Sequence, residues 1–411
     1  MTLEERDLFT WDETLEPSVD LVPEQGEDES DIAGDTSDFS AAVSSTDWTV
    51  ETLVSQMRKG RIDLDPSFQR RNAWLDNRKS KLIESIILGF PIPQIVLAEK
   101  PNAKGNFFVL DGKQRLLALR QFSVDRNDAR DDEFSPLKLT GLEVLTELNQ
   151  LSLADLEAQH PDLVPTIENH SIRTVVLSSW SSERMLLSLF LRLNTGSVPL
   201  SPQELRQALI HGDFVKWLDE ASGNSAALRQ LLNNSHPDRR MVDAELLLRH
   251  LAFSLSPLQY RGNLKEFLDQ TSRHFNTQWS TVQQSLHDEY DAFNEAVSFG
   301  MQLFGVGRFA RKWSQPAQGD PRFERALNRA VLDVQAFAFA IPDVRAAAAE
   351  NGEAILDGYK QLCLTNASFV RAISTTTKTA EAFTTRHRAW RDLVNSTTGV
   401  SYDLPTPLDK E

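Results

Sequence analysis

The sequence predicts an α+β N-terminal domain followed by a mainly α-helical one. Three observations lead there: apolar runs of strand length alternate with helical periods over residues 48–177, no convincing strand follows them, and 411 residues exceed what one hydrophobic core usually organises. The expected divisions are a disordered acidic tail over 1–47, a first domain over 48–200, a helical domain over 201–400 and a flexible C-terminus over 401–411.

Residues 1–47 hold 15 acidic side chains against one basic one, Arg6. Within them 24–38 is acidic and poor in aromatics, so it buries too little apolar surface to offset the entropy of ordering. A short amphipathic helix is expected over 49–59, ended by Gly60, then a strand-like 62–64 and a loop over 66–75 rich in Arg and aromatics. Leu82, Ile83, Ile86 and Ile87 mark a helix over 78–88, which Gly89 closes before Pro91 and Pro93. Residues 94–99 and 106–110 read as buried strands, and the second runs through Asp111-Gly112 into a helix over 113–122. A charged loop over 125–136, a helical stretch over 142–159 and a strand over 172–177 follow. A helix over 182–193 ends at Asn194-Thr195-Gly196, residues that tolerate the left-handed conformation. The next helix opens on Ser201-Pro202-Gln203-Glu204, which is Ser at the N-cap, Pro at N1 and Glu at N3, a full capping box. Trp279, Val282, Leu286, Tyr290, Phe293, Val297, Met301 and Phe304 then follow a 3–4 spacing and are read as bundle core.

The formal charge of −16 argues, taken whole, against a protein that coats a phosphate backbone. Its distribution softens that exclusion, because residues 1–47 hold a net −14 and residues 48–411 only −2. One cysteine, Cys363, rules out an intramolecular disulfide framework and any cysteine-based zinc site. No apolar run reaches membrane-spanning length and the first thirty residues lack a signal pattern, so a cytoplasmic protein with no membrane partner is expected.

The segment over 107–122, FFVLDGKQRLLALRQF, holds the most chemistry. Lys113 and Arg115 sit in the first turn of the expected helix, where cations are disfavoured by the helix dipole and an anion should compensate. Free N–H groups at a helix start, Gly112 permitting close approach and two cations together suit phosphate. Asp111 could hold a Mg²⁺ shared with that phosphate or position a water. The plain alternative makes Asp111 an N-cap and pairs Lys113 and Arg115 with surface carboxylates.

Two further clusters join the turn. Gln69 and Arg70, with Phe68 and Trp74, offer a planar fork and an aromatic face; local pairing of Arg70 with Asp65 or Asp76, and Trp74 closing the core edge, is the alternative. Arg192 and Asn194 precede Glu204-Leu205-Arg206, where the capping box already accounts for Glu204. In the helical half, Arg308, Arg311, Lys312, Arg322, Arg325, Arg329, Arg386, Arg388 and Arg391 could form a basic face for DNA, although such runs are usually solvated.

In this order, Phe68-Gln69-Arg70, Trp74, 89–93 (GFPIP), 111–115 (DGKQR), 192–196 (RLNTG) and Glu204-Leu205-Arg206 resemble GmrSD-type restriction endonuclease N-terminal domains, of the wider ParB and sulfiredoxin-like group. The resemblance covers roughly residues 48 to 270. It implies a small mixed α/β core whose aspartate-glycine-X-glutamine-arginine turn binds and hydrolyses a nucleoside triphosphate with Mg²⁺, coupled in anti-phage restriction systems to DNA cleavage. Asp111, Gly112, Gln114 and Arg115 match that turn, with Asp111, Gln114 and Arg115 as its catalytic set and Asp111 as the metal residue. Gln69, Arg70, Gly112, Lys113, Arg192 and Asn194 are the nucleotide-binding residues it suggests, Lys113 standing where the family commonly has Gln. Family members that cut DNA often have an HNH-type half. The eight histidines here are scattered and mostly on helical segments, so the chain is expected to lack that half and to rely on its own core or on a nuclease subunit in trans. A sulfiredoxin-like reductase is set aside, because Cys363 lies far from the turn.

Overall fold

The computed structural model describes residues 20–21, 40–62, 64, 74–101, 103–125, 127–132, 134–181, 185, 186, 189, 201–210, 212–316, 319–375 and 377–408. They form an α+β protein in two compact units, one of residues 40–189 and one holding 20, 21 and 201–408.

The first unit is built on four strands, β1 (Ala42–Thr49), β2 (Ile95–Lys100), β3 (Ala103–Asp111) and β4 (Ser171–Ser178), in the order β1-β4-β2-β3. β2 lies inside the sheet, parallel to β4 and antiparallel to β3, and its Ile95, Val96, Leu97 and Ala98 are all buried, as the apolar run requires. β1 corrects the tail reading at residues 42–47. Those residues pair antiparallel with β4 in unbroken register from Ala42↔Ser178 to Thr49↔Ser171. Six of its eight side chains are exposed, so backbone pairing orders it rather than apolar burial. Asp47 meets Arg173 across the pair at 2.9 Å.

Helices α1 (Val50–Arg58), α2 (Asp76–Ile87) and α3 (Lys113–Phe122) pack in the same unit. Thr49 caps α1 by accepting the Thr52 N–H, and Val50, Leu53, Val54 and Met57 are its buried stripe. Gly89, at φ 75, ends α2 with its N–H on the Ile86 carbonyl while the Phe90 N–H reaches Ser85. The expected helix over 142–159 shrinks to α4 (Leu153–Gln159), behind a single 3-10 turn at Thr146–Leu148, and a short α5 (Leu163–Glu168) follows. The buried Glu84 carboxylate explains this, since it accepts the N–H groups of Val144 and Leu145 at 2.8 Å and holds that backbone out of a helix.

The far end of α3 is clamped. Arg120 donates to Asp131 at 2.5 Å with both side chains 1% exposed, and Arg58 of α1 reaches the same carboxylate at 3.0 Å. Burial pushes the Asp131 carboxyl up, but hydrogen bonds from Arg120, the Asp125 N–H and Arg58 outweigh it and hold the group below the ordinary carboxylate range.

The second unit is helical, with α6 (Pro202–Leu209), α7 (Asp213–Asn224), α8 (Ala226–Leu231), α9 (Val242–Leu255), α10 (Leu264–Thr277), α11 (Trp279–Phe304), α12 (Arg329–Ala340), α13 (Pro342–Glu350), α14 (Gly352–Thr365), α15 (Ala367–Ser374) and α16 (Ala380–Thr398). The capping box at Ser201 and Glu204 forms as expected, and α11 buries Leu286, Phe293, Val297, Met301 and Phe304 in the core. The expectation of no further strand fails narrowly at a two-residue pair, β5 (Trp313–Ser314) with β6 (Arg322–Phe323).

Three of the nine residues of the expected basic face, Arg311, Arg329 and Arg386, are taken up by internal partners. Asp333 accepts from Arg249 at 2.6 Å and Arg386 at 3.0 Å, and both guanidinium groups are fully buried. Arg311 is buried on the carbonyls of Phe309 and Arg325, and Arg329 pairs with Glu245 at 2.9 Å. Arg308, Arg322, Arg325 and Arg388 remain exposed.

Candidate functional site

The turn at 111–115 is assembled by the sheet. β3 pairs with β2 until Asp111 lies opposite Val96, and α3 starts two residues later. Gly112, at φ 91 and ψ 13, makes the reversal in the left-handed region that glycine favours. It is the N-cap residue, so the reading of Asp111 as an ordinary N-cap is not what the chain adopts, and no side chain caps the first turn of α3. Nor is there an acidic residue in that turn. Its dipole therefore meets the side chains of Lys113 and Arg115 with no compensating carboxylate of its own.

Asp111 supplies the nearby negative charge. Its Oδ1 accepts the Gly112 N–H at 2.6 Å and its Oδ2 accepts from Arg115 Nη2 at 3.0 Å, with side-chain exposures of 33% for Asp111 and 13% for Arg115. The same Nη2 donates to the Gln94 carbonyl at 3.0 Å. The guanidinium thus lies back across Gly112: a Cβ there would meet Arg115 Nη2 at 3.3 Å, Arg115 Nε at 3.4 Å and the buried Ile95 Cγ1 at 3.0 Å. The space that glycine leaves open is filled by the protein's own arginine and isoleucine. Two groups are left short of partners: Arg115 Nε and the Gln114 side-chain carbonyl oxygen are both buried with no hydrogen bond.

Of the other expected site residues, Gln69, Arg70, Arg192 and Asn194 lie outside the described residues, so Asp111, Gly112, Lys113, Gln114 and Arg115 are the ones brought together here. Trp74 is 5% exposed and belongs to the core, with Arg78 stacked 4.8 Å from its ring, which is the core-edge alternative. In the second unit Glu204 is consumed by the capping box and by Arg240 at 3.4 Å, and burial outweighs both in raising its pKa. Arg206 is buried between Asp269 at 2.8 Å and Gln203. Gln94 was invisible in the sequence, because it acts through a backbone carbonyl that any residue could present.

A cation held by the protein fits this turn poorly. Asp111 already has a donor on each oxygen, and among the described residues no group of three His, Cys, Asp or Glu side chains converges on one point. A cavity of about 1030 Å³ opens elsewhere in the first unit, lined by charges of both signs including Arg58, Lys59, Lys138, Asp155 and Glu157, and no residue of the turn borders it. No helix among the described residues is long and apolar enough to cross a membrane.

Comparison with curated proteins and with solved structures returns no match. The inner strands, the first helices and the turn nevertheless lie within residues 50–211, and that segment matches the family model described as GmrSD restriction endonuclease, N-terminal domain.

Proposed function

We propose that the turn at 111–115 binds the polyphosphate of a nucleoside triphosphate and hydrolyses it, within the restriction-type DNA processing that the match over residues 50–211 suggests. One observation carries the reading: a helix start with no side-chain cap and no acid of its own has two cations in its first turn and a glycine at its N-cap. In this reading the core is of the ParB/sulfiredoxin-like kind that the resemblance implies. Lys113 and Arg115 neutralise phosphate charge, the start of α3 receives phosphate oxygens, and the buried Gln114 carbonyl takes a hydrogen bond from a positioned water. Arg70, Gln69, Arg192 and Asn194 add contacts from neighbouring segments. Magnesium arrives as the counter-ion of the nucleotide, since the turn offers it one already bonded carboxylate, and it supplies charge neutralisation there. DNA cutting falls to the core or to a nuclease subunit in trans.

The test is phosphate release from a panel of nucleoside triphosphates with Mg²⁺, with and without DNA. Asp111→Ala and Arg115→Ala are expected to abolish turnover, and unchanged turnover in both refutes the proposal. A purely DNA-binding role through the helical unit has less support, because Arg311, Arg329 and Arg386 of the expected basic face are spent on internal partners.

A further inference from the structure

We infer that Asp111 is an internal anion that occupies Arg115 until phosphate displaces it, so that the empty turn is latched and the loaded turn has a freed carboxylate. The inference rests on the phosphate-site reading above and concerns the order of events within it.

Three observations meet. Asp111 is the only carboxylate that the described contacts place on Arg115, and it lies beside a helix start with no other acid in its first turn. Arg115 is packed down over Gly112 and uses one nitrogen, Nη2, for both of its bonds, to Asp111 Oδ2 and to the Gln94 carbonyl. Its Nε is buried with no partner, so a guanidinium with five donors satisfies few of them in this seat. A phosphate can take two parallel N–H bonds from the same group, which is the better arrangement for arginine. Arg115 therefore has a reason to leave Asp111 when phosphate arrives and none to leave it otherwise.

Two consequences follow for Asp111. Before binding, its charge opposes an incoming anion and holds the cation that would attract it. After the exchange, Oδ2 has lost its donor and can accept a hydrogen bond from a water at the phosphate. The carboxylate is thus presented to water only when the site is loaded.

The experiment measures binding of inorganic tripolyphosphate in EDTA to the full chain, which removes both magnesium and the base from the question. Asp111→Asn and Asp111→Ala should each bind about tenfold more tightly than wild type, since each removes the carboxylate that competes with phosphate for Arg115. The gain should vanish when Arg115→Ala is added to either. Unchanged or weaker affinity in both single variants, with circular dichroism as in wild type, overturns the latch. Arg115→Ala alone separates the two ideas: weaker tripolyphosphate binding keeps the phosphate site even if the latch fails, and unchanged binding overturns both.

Discussion

Gly112→Ala is the substitution on which the geometry of the turn makes the sharpest demand. The backbone sits at φ 91, where an L-residue costs about 1–2 kcal/mol that glycine does not incur. The new methyl would stand 3.0 Å from Ile95 Cγ1, and Ile95 is fully buried in β2. Overpacking of this kind adds about 1–2 kcal/mol, and part of the relief comes from pushing the Arg115 guanidinium, 3.3 Å away, off its seat. The sum is about 2–4 kcal/mol, concentrated where β3 joins α3. Hydrogen exchange on the intact chain reads it locally, because each 1.4 kcal/mol is about a tenfold loss of protection. Peptides spanning 107–122 should exchange about 30-fold to 1,000-fold faster, while those from α11 and α12 should not change. Protection within about twofold of wild type across 107–122 would refute the claim that arginine and isoleucine fill the space above this glycine.

Two other substitutions probe the framework. Asp131→Asn leaves Arg120, 1% exposed, and Arg58 without their counter-charge, and should cost about 3 kcal/mol in urea unfolding of the first unit at pH 7. The wild-type folded pKa lies below the unfolded one, so this stability is present above about pH 4 and disappears as pH falls through the folded value; the Asn variant should lack that acid-dependent loss. In the helical unit, burial and then the neighbouring Arg386 depress His387 to about 3, against the opposing pull of Asp333. The unfolded state therefore takes up the proton first, and stability should fall by about 1.6 kcal/mol between pH 6.5 and pH 5, a slope that His387→Phe abolishes in the same titration.

The limits of α3 could be read from sequence because local chemistry decides them: an apolar strand, Asp-Gly, then a run of good helix formers through Phe122. The Ser201 capping box and the stripe of α11 were legible for the same reason. β1 was not, since Ala42–Thr49 has no buried face and its order comes from β4, more than 120 residues away in the chain. Glu84 could not be foreseen as the anchor of residues 143–145, and the helix expected there was written over. The basic face was overcounted at Arg311, Arg329 and Arg386, because a list of arginines does not say where their partners are. Asp333, one residue on α12, takes two of the buried arginines out of solvent. At the turn itself the residue types were legible, but the Asp111–Arg115 pair and the Gln94 carbonyl were not, because they depend on which way one side chain folds.

The contacts of Arg115 join three elements that the sheet alone connects only through backbone ladders. Gln94 precedes β2, Asp111 ends β3 and Arg115 lies in the first turn of α3, so a single nitrogen bridges the entry of an inner strand, the exit of the edge strand and the start of the helix. α3 is fixed at its other end by Arg120, Asp131 and Arg58, which leaves its first turn as the end free to respond. A ligand that draws Arg115 away breaks both bonds of this bridge without touching the clamp. The change then stays within the segment between Gln94 and α3, where the proposed phosphate site lies, and the apolar floor made by Ile95, Leu116 and Leu119 stays in place. A site that must exchange partners on a rigid floor needs its buried ion pair away from the ligand and its more solvent-accessible one beside it, and the Arg120–Asp131 pair, 1% exposed on both sides, and the Arg115–Asp111 pair, 13% and 33% exposed, stand at opposite ends of one ten-residue helix.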